Sequence, residues 1–578
     1  MSICEILSKI EEDTTEMRWG HQRSKLFAEA AELYEKRGDH ENLRKMGWEI
    51  VLFYLRPLDY DDTKKNGNRF APIFEYTNGT ISPDKKTFSK DQIEYYKMRA
   101  ELSDNPIMTS RYSDIVWDLA RDDVYARLAV EKYLECREIY LKNRWHNEVA
   151  DSLTRAAGIS LSLRDNEQIE KVRNVIIKTM RELAESKDYA FFPVLTDALL
   201  DMKKYSPAEK YETVIKIMKK GSLYYKNDVK DGYFLQRALL RKLVELKKVI
   251  KKVARAHRME IAQSYEEEAE WKFENYPQGA SVSAGIIQDA IKSYEELGEL
   301  EKVKELKIKL KKRTGMSIAE MKTIAIPITI PSDEIDSFLS PLKDLNLIDS
   351  LNNIAGDDRL IPSIELIRAQ TEELKKIAPL SFIFTRVSIR DDNPVLTSES
   401  DEEIFEHHVK QNTATRYQIG SSIIGIAIES LIEKRGLNTE NFISFLGSKG
   451  VYQEEPLKMI SIGIERYLEE DYVSSIHVLI PQLETTLRQI LGNIGEPTTK
   501  YRAGSVQERT LEDILRDPKL EEHLGEDICN YLRVFLVDKV GDNLRPDMAH
   551  GLLTVDMCTR NKVITIIHLL LVLTRFAP

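Results

Sequence analysis

The chain has 578 residues, of which 42% are hydrophobic and 31% are charged, and its formal net charge is −11 at pH 7. This length exceeds one ordinary hydrophobic core, so we expect two to four domains. The acidic balance argues against a protein that coats nucleic acid by bulk electrostatics. Any contact with RNA must then be local.

Three stretches in the first part of the chain share a small residue, an aromatic residue and a turn position, each four residues apart. They are Ala30, Tyr34 and Gly38; Ala290, Tyr294 and Gly298; and, less closely, Cys136, Tyr140 and Arg144. A buried small residue, an aromatic side chain one turn later and a helix-ending glycine are typical of helical hairpins. The stretches resemble tetratricopeptide-type hairpins. We predict a helical-repeat-like region over 1–312, with a helical domain without true repeats as the alternative.

Residues 57–90 interrupt this region with several prolines and glycines. Alternating apolar residues from Phe70 to Ile81, with Asn78–Gly79 between them, predict a small hairpin insertion.

The most basic stretch, Arg241–Arg258, contains eight Lys or Arg against the single Glu245. An apolar stripe runs along it and predicts one helix with a buried face; its members are Leu243, Leu246, Ile250 and Val253. A solvated face balanced by acidic neighbours is the favoured interpretation, and a helix that follows an RNA backbone is the alternative.

The pattern changes near residue 312. Ile324–Pro331 is extended and bounded by prolines, and Ser381–Ile389 predicts a strand before the polar turn at 391–394. We therefore place a connector with a few short strands at 313–410.

From 411 onward one-sided apolar patterns separated by short connections predict a compact helical bundle over 411–578 and a mainly α fold. The predicted helices cover Ile423–Leu431, Ile460–Leu468, Tyr472–Leu491, Ile528–Val540 and, as the last, Pro546–Phe576. The apolar run at 563–573 is too short for a membrane span of about 20 residues, so we interpret it as a buried core helix.

Four cysteines form no CxxC pair, and we interpret them as reduced, mostly buried thiols of a cytoplasmic protein. They are Cys4, Cys136, Cys529 and Cys558.

The N-terminus lacks the features of a signal peptide, and no P-loop, GxGxxG or GxSxG motif occurs. We expect no metal, no cofactor and no membrane partner.

The sequence NLRPDMAHG places Arg545 and His550 five positions apart near the C-terminus. The spacing alone occurs often by chance, so its context carries the weight. Asn543 is a good N-cap candidate, and Pro546 is tolerated only in the first turn of a helix. Gly551 allows a ligand or another backbone to approach closely. The pattern favours a site at the mouth of a bundle helix.

About 160 C-terminal residues resemble the HEPN superfamily, helical bundles whose signature R-x(4–6)-H lies just inside the last long helix. LRPDMAHG is similar to the RNxxxHG signature of a mostly bacterial family that also has an N-terminal helical region. The segments 477–491 and 105–120 look like parts of that family as well. This chain has Pro546 where the family commonly has Asn.

The resemblance implies a metal-independent endoribonuclease that acts as a homodimer on RNA, with Arg545 and His550 as catalytic residues. By analogy it also implies a role in bacterial antiviral defence or toxin-like RNA cleavage. Histidine changes charge near neutral pH, so His550 can take the proton of a ribose 2′-hydroxyl or protonate the leaving 5′-oxygen. Arg545 can hold two phosphate oxygens. Because one imidazole does not easily serve both ends, we expect two motifs to face each other. The expected products carry 2′,3′-cyclic phosphate and 5′-hydroxyl ends.

The residues around Arg545 and His550 each have a functional and an ordinary structural interpretation. Glu484 and Arg488 either line the same cleft or form an ordinary surface pair, and Asp547 interacts with the helix dipole. Pro546 either fixes the helix start or marks a degenerate site. The alternative function is therefore a non-catalytic RNA- or protein-binding scaffold, with the bundle used for dimerisation and a protein partner on the helical-repeat region.

Overall fold

The computed structural model describes residues 3–14, 16–18, 20–57, 70–76, 80–322, 329–390, 392–502 and 504–576. The fold is mainly α-helical, as predicted. The chain divides into two compact units, Met1–Leu310 and Lys311–Pro578, and the division falls within one helix.

The first unit is a succession of helices, most of which pack against the next one along the chain. Their bounds are α1 (Ile3–Thr14), α2 (Gly20–Lys36), α3 (His40–Phe53), α4 (Lys90–Leu102), α5 (Pro106–Ala120), α6 (Asp123–Lys142), α7 (His146–Leu163), α8 (Asn166–Glu185), α9 (Phe192–Asp201), α10 (Ala208–Asn227), α11 (Tyr233–Val249), α12 (Arg255–Asn275), α13 (Gly279–Leu297) and α14 (Leu300–Glu320). Three successive apolar cores run through the unit, which is the packing expected of a helical array.

The three predicted hairpin ends are confirmed. Each small residue and each tyrosine is buried. Gly38 and Gly298 adopt left-handed φ angles of 69° and 75°, and Arg144 adopts 58°. In α2 the carbonyl of Tyr34 accepts the Asp39 N–H at 3.0 Å, the bond that closes a helix end of this type.

The predicted insertion contains two short antiparallel ribbons. Strand β1 (Leu55–Pro57) pairs with β2 (Phe70–Pro72), and β3 (Phe74–Glu75) pairs with β4 (Ile81–Ser82). The prediction of a hairpin is confirmed, whereas its Asn78–Gly79 turn lies outside the described residues.

The basic stretch is not one helix, which corrects the prediction. Helix α11 ends at Val249 and α12 begins at Arg255, with Lys251 in a left-handed turn between them. Val253, predicted to continue the buried stripe, is 86% exposed. The spacing of apolar residues continues through Val253, although the helix ends at Val249. No glycine or proline near Val249 indicates this end in the sequence.

The second unit combines helices with two hairpins. The helices are α15 (Ser332–Leu339), α16 (Leu347–Gly356), α17 (Ile364–Ile377), α18 (Asp401–Arg435), α19 (Thr439–Ser448), α20 (Glu454–Leu468), α21 (Tyr472–Asn493), α22 (Leu511–Leu515), α23 (Pro518–Leu524), α24 (Glu526–Leu536), α25 (Leu544–Ala549) and α26 (Arg560–Leu573). The hairpins pair β5 (Arg386–Arg390) with β6 (Asn393–Ser398), and β7 (Thr499–Arg502) with β8 (Ser505–Glu508).

The region predicted as a connector is largely helical and belongs to the core of the second unit. Phe338, Leu351 and Ile354, on α15 and α16, are buried in the same apolar cluster as the bundle helices. The strand predicted over 381–389 begins only at Arg386, and most of the extended segment predicted at 324–331 lies outside the described residues.

The predicted last helix, Pro546–Phe576, is wrong in its bounds, because it is two helices. The short α25 ends at Ala549, and α26 starts at Arg560 after a connection that includes a 3-10 turn. The apolar run at 563–573 is a buried core helix, as predicted.

Among the described residues, no helix is long and apolar enough to cross a membrane. Cys136, Cys529 and Cys558 are buried free thiols.

His568 on α26 makes the second unit sensitive to acid. Its ring is 0% exposed, and its Nδ1 lies 3.3 Å from the Tyr531 hydroxyl. Burial lowers the pKa of His568 to about 4. The folded protein therefore keeps this ring neutral, whereas the unfolded chain protonates it below about pH 6.5.

We expect this contribution to stability to be complete above about pH 6.5 and to be lost as the pH falls toward 4. Between pH 7 and pH 5 the loss amounts to about 2 kcal/mol. The variant His568→Leu should show a correspondingly smaller loss in urea unfolding followed by circular dichroism. All five tryptophans lie in the first unit, so their fluorescence serves as the internal reference. An equal pH dependence in both proteins would contradict the assignment.

Candidate active site

Arg545 lies in α25, a helix of six residues held against α24, and His550 directly follows that helix. The chain enters it through Gly541, where a Cβ atom would lie 1.8 Å from the carbonyl oxygen of Val534, so only glycine fits. Gly551 ends the helix with a left-handed φ of 68°. The Gly551 N–H donates to Met548 O at 3.2 Å and the Leu552 N–H to Asp547 O at 2.8 Å. Gly551 therefore stops the helix, a local structural reason for the glycine that differs from the predicted close approach of a ligand.

Asn543 and Asp547 act differently from the prediction. Asn543 occupies the N-cap position but its side chain does not cap the helix; its Nδ2 donates to Asp547 Oδ1 at 2.8 Å. Asp547 is 3% exposed, and its Oδ2 accepts a hydrogen bond from Arg390 Nη1 at 2.8 Å. Arg390 Nη2 also donates to the carbonyl of Gly541. Asp547 thus anchors the helix through a part-buried ion pair with Arg390.

Arg545 joins the predicted Glu484–Arg488 pair. Its Nε donates to Glu484 Oε2 at 2.8 Å, while Arg488 Nη2 donates to Glu484 Oε1 at 2.9 Å. The Glu484 side chain is only 14% exposed, whereas that of Arg545 is 38% exposed. The structure therefore brings these three predicted residues together. One carboxylate holds two guanidinium groups at the surface of α21.

The Arg545 guanidinium keeps capacity for a ligand. Within the described part of the chain its Nε is hydrogen-bonded and its two Nη groups are not. Two parallel Nη–H donors match two oxygens of a phosphate. Arg488, in contrast, is held further by Glu508 Oε2 at 2.9 Å and by the carbonyl of Arg509 at 2.9 Å.

His550 lies at the other end of α25 as its C-cap residue and is exposed. Its N–H donates to Pro546 O at 2.9 Å, and its ring makes no hydrogen bond to any described residue. Pro546 occupies the first turn, where a backbone N–H has no partner within the helix, so the proline does not disturb α25. Arg545 lies in the first turn of α25, and His550 follows its last residue.

Sequence reasoning missed Arg390, which fixes α25 from β5, 157 residues away along the chain. No local pattern identifies such a partner. Across the described ranges no group of three or more His, Cys, Asp or Glu side chains is arranged to hold a metal ion.

Comparison with known proteins concerns the other end of the chain. No curated protein matches the chain. A family model described as a domain of unknown function, DUF7380, matches residues 9–172, less than a third of the 578 residues and entirely within the first unit.

Proposed function

We propose that the second unit is a metal-independent endoribonuclease of the HEPN type, in which Arg545 binds a phosphodiester and His550 transfers protons. The observation that carries this proposal is the presentation of both side chains by one anchored helix. Arg545 is aligned by Glu484 with both Nη groups available, and the His550 ring is exposed.

The rigid setting of α25 supports the first part of the proposal. Gly541, Asp547 and Arg390 fix the short helix at its start, so the Arg545 guanidinium is already oriented before a ligand arrives. An oriented charge stabilises the extra negative charge of a pentacoordinate phosphate without a reorganisation cost.

The need for both a general base and a general acid supports a homodimer. One imidazole takes the proton from the ribose 2′-hydroxyl, and the 2′-oxygen forms a bond to phosphorus as the bond to the 5′-oxygen breaks. A second imidazole, from His550 of another copy, protonates the departing 5′-oxygen. The products are a 2′,3′-cyclic phosphate and a 5′-hydroxyl, and neither water nor a metal ion is consumed. A defence or toxin-type role is part of the same proposal and rests on the resemblance of the motif.

The chemical groups at the ends of the RNA fragments test the proposal. We expect the purified chain to cleave a fluorescent single-stranded RNA in the presence of excess EDTA, which removes free divalent ions. The upstream fragments should resist phosphatase until acid opens a cyclic phosphate, and the downstream fragments should accept a 5′-phosphate from a polynucleotide kinase. Cleavage that needs a divalent ion, or that leaves 5′-phosphate ends, would refute the mechanism. RNA that is bound and stays intact would favour the non-catalytic scaffold.

A further inference from the structure

Lysines of α10, of the last turn of α11 and of the turn before α12 lie on neighbouring elements. Helix α10 packs on α11, and α11 on α12. Lys216 and Lys219 are exposed on α10, Lys247 is half-buried in the last turn of α11, and Lys251 and Lys252 are exposed in the turn that follows. We call these five lysines the basic surface.

Two neighbouring side chains show that these lysines are close in space. Glu212 on α10 accepts a hydrogen bond from Lys252 at 2.6 Å. This bond lowers the pKa of Glu212, and the charges of Lys216 and Lys247 lower it further. His257 on α12 is buried, which lowers its pKa. Glu260, 3.4 Å away, opposes this shift, and the charges of Lys219 and Lys247 add to it. The basic surface therefore runs from α10 to the end of α11 and the turn that follows it.

The positive charge of this surface is poorly neutralised. Of its five lysines only Lys252 has a carboxylate within salt-bridge distance among the described residues. The dipole of α11 favours Lys247 at the C-terminus of that helix, but it does not account for the lysines within α10.

We propose that the basic surface binds the phosphate backbone of RNA. The inference rests on the proposed function in taking RNA as the polyanion. Lysines without carboxylate partners release counterions when they contact phosphates, and this release drives binding even by a protein of net negative charge. The surface presents lysines rather than aromatic rings, so it contacts phosphates and does not select bases. Val253 is the exposed apolar side chain of the turn, and a single valine is a weak anchor for a membrane.

Anisotropy of a fluorescein-labelled 20-nucleotide single-stranded RNA tests the proposal on full-length protein carrying His550→Ala, which separates binding from cleavage. Replacing Lys216, Lys219, Lys247 and Lys251 by alanine should weaken binding at least about tenfold, and should reduce the dependence of log K on log salt by about 3. The matched control replaces four other exposed lysines of the first unit, Lys142, Lys171, Lys178 and Lys304. It should leave binding within about twofold of the parent.

Each outcome decides the proposal. Equal affinity of the two quadruple variants would overturn it, even if the chain cleaves RNA. RNA binding through the basic surface would support it, and a wild-type chain that binds this RNA but leaves it intact would separately refute the nuclease. Binding of phosphatidylserine vesicles that Val253→Asp abolishes, with RNA affinity unchanged by the lysine substitutions, would overturn it in favour of a membrane surface.

Discussion

Replacing His550 by alanine should reduce EDTA-resistant RNA cleavage by at least about a hundredfold, because general acid–base catalysis contributes about two to four orders of magnitude. Arg545→Ala should cause a loss of about the same size by removing the phosphate ligand. Both side chains are at the surface, so neither change should lower the urea midpoint of unfolding by more than a small amount. The measurement is the initial rate of cleavage at saturating RNA.

Arg545→Lys separates charge from geometry. Lysine keeps the positive charge but offers neither the Nε–H that Glu484 holds at 2.8 Å nor two parallel donors for phosphate. We therefore expect an intermediate rate, closer to that of Arg545→Ala than to that of the wild type.

The chain contains a matched control for these substitutions. Arg516 and His523 form another Arg-to-His pair in the second unit, and both side chains are exposed. Arg516 pairs with Glu512 on its own helix at 3.0 Å. Arg516→Ala and His523→Ala should leave the cleavage rate unchanged. A hundredfold loss in these variants, or full activity in His550→Ala, would refute the assignment of the site.

Local patterns allowed part of the fold to be predicted. Ala30, Tyr34 and Gly38 lie one helical turn apart, so burial and a left-handed helix end follow from spacing alone. The end of α7 at Arg164 escaped prediction, because an arginine with a φ of 56° carries no glycine signal. Packing outside the helix supplies the free energy that offsets such a left-handed residue, and a sequence window does not contain it.

The candidate site also combines features that local sequence patterns indicate with features that depend on distant contacts. The break between α25 and α26 had signals that were available, since Gly551 is a helix stop and Thr559 caps the next helix by accepting the Lys562 N–H. The apolar run that follows outweighed them. The contact of Arg545 with Glu484 spans 61 residues, and no spacing rule reaches so far. The sequence therefore identified the candidate residues but not their mutual orientation.

Asp114→Asn should destabilise the first unit by about 4 kcal/mol, because it leaves a buried guanidinium without a counter-charge. Asp114 is 0% exposed and accepts two hydrogen bonds from Arg155, each 2.7 Å long. Tyr133 donates a third at 2.8 Å. Burial already lowers the pKa of the neighbouring Arg111, whose charge is also repelled by Arg155. Neutralising Asp114 therefore removes the carboxylate that Arg155 pairs with in this part of the core.

Tryptophan fluorescence in urea measures this effect, since all five tryptophans belong to the first unit and Trp117 lies one turn from Asp114. The control Asp123→Asn alters an exposed carboxylate on α6 and should change the stability by no more than about 0.5 kcal/mol. The combined variant Asp114→Leu, Tyr133→Phe and Arg155→Met removes the three hydrogen-bonded side chains. Arg111 keeps its bonds to the carbonyls of Leu52 and Leu55, so the variant should recover part of the loss. If Asp114→Asn were as stable as Asp123→Asn, the ion pair would not hold this core. A combined variant less stable than Asp114→Asn would instead assign the loss to packing, because the unpaired Arg155 charge is absent from it.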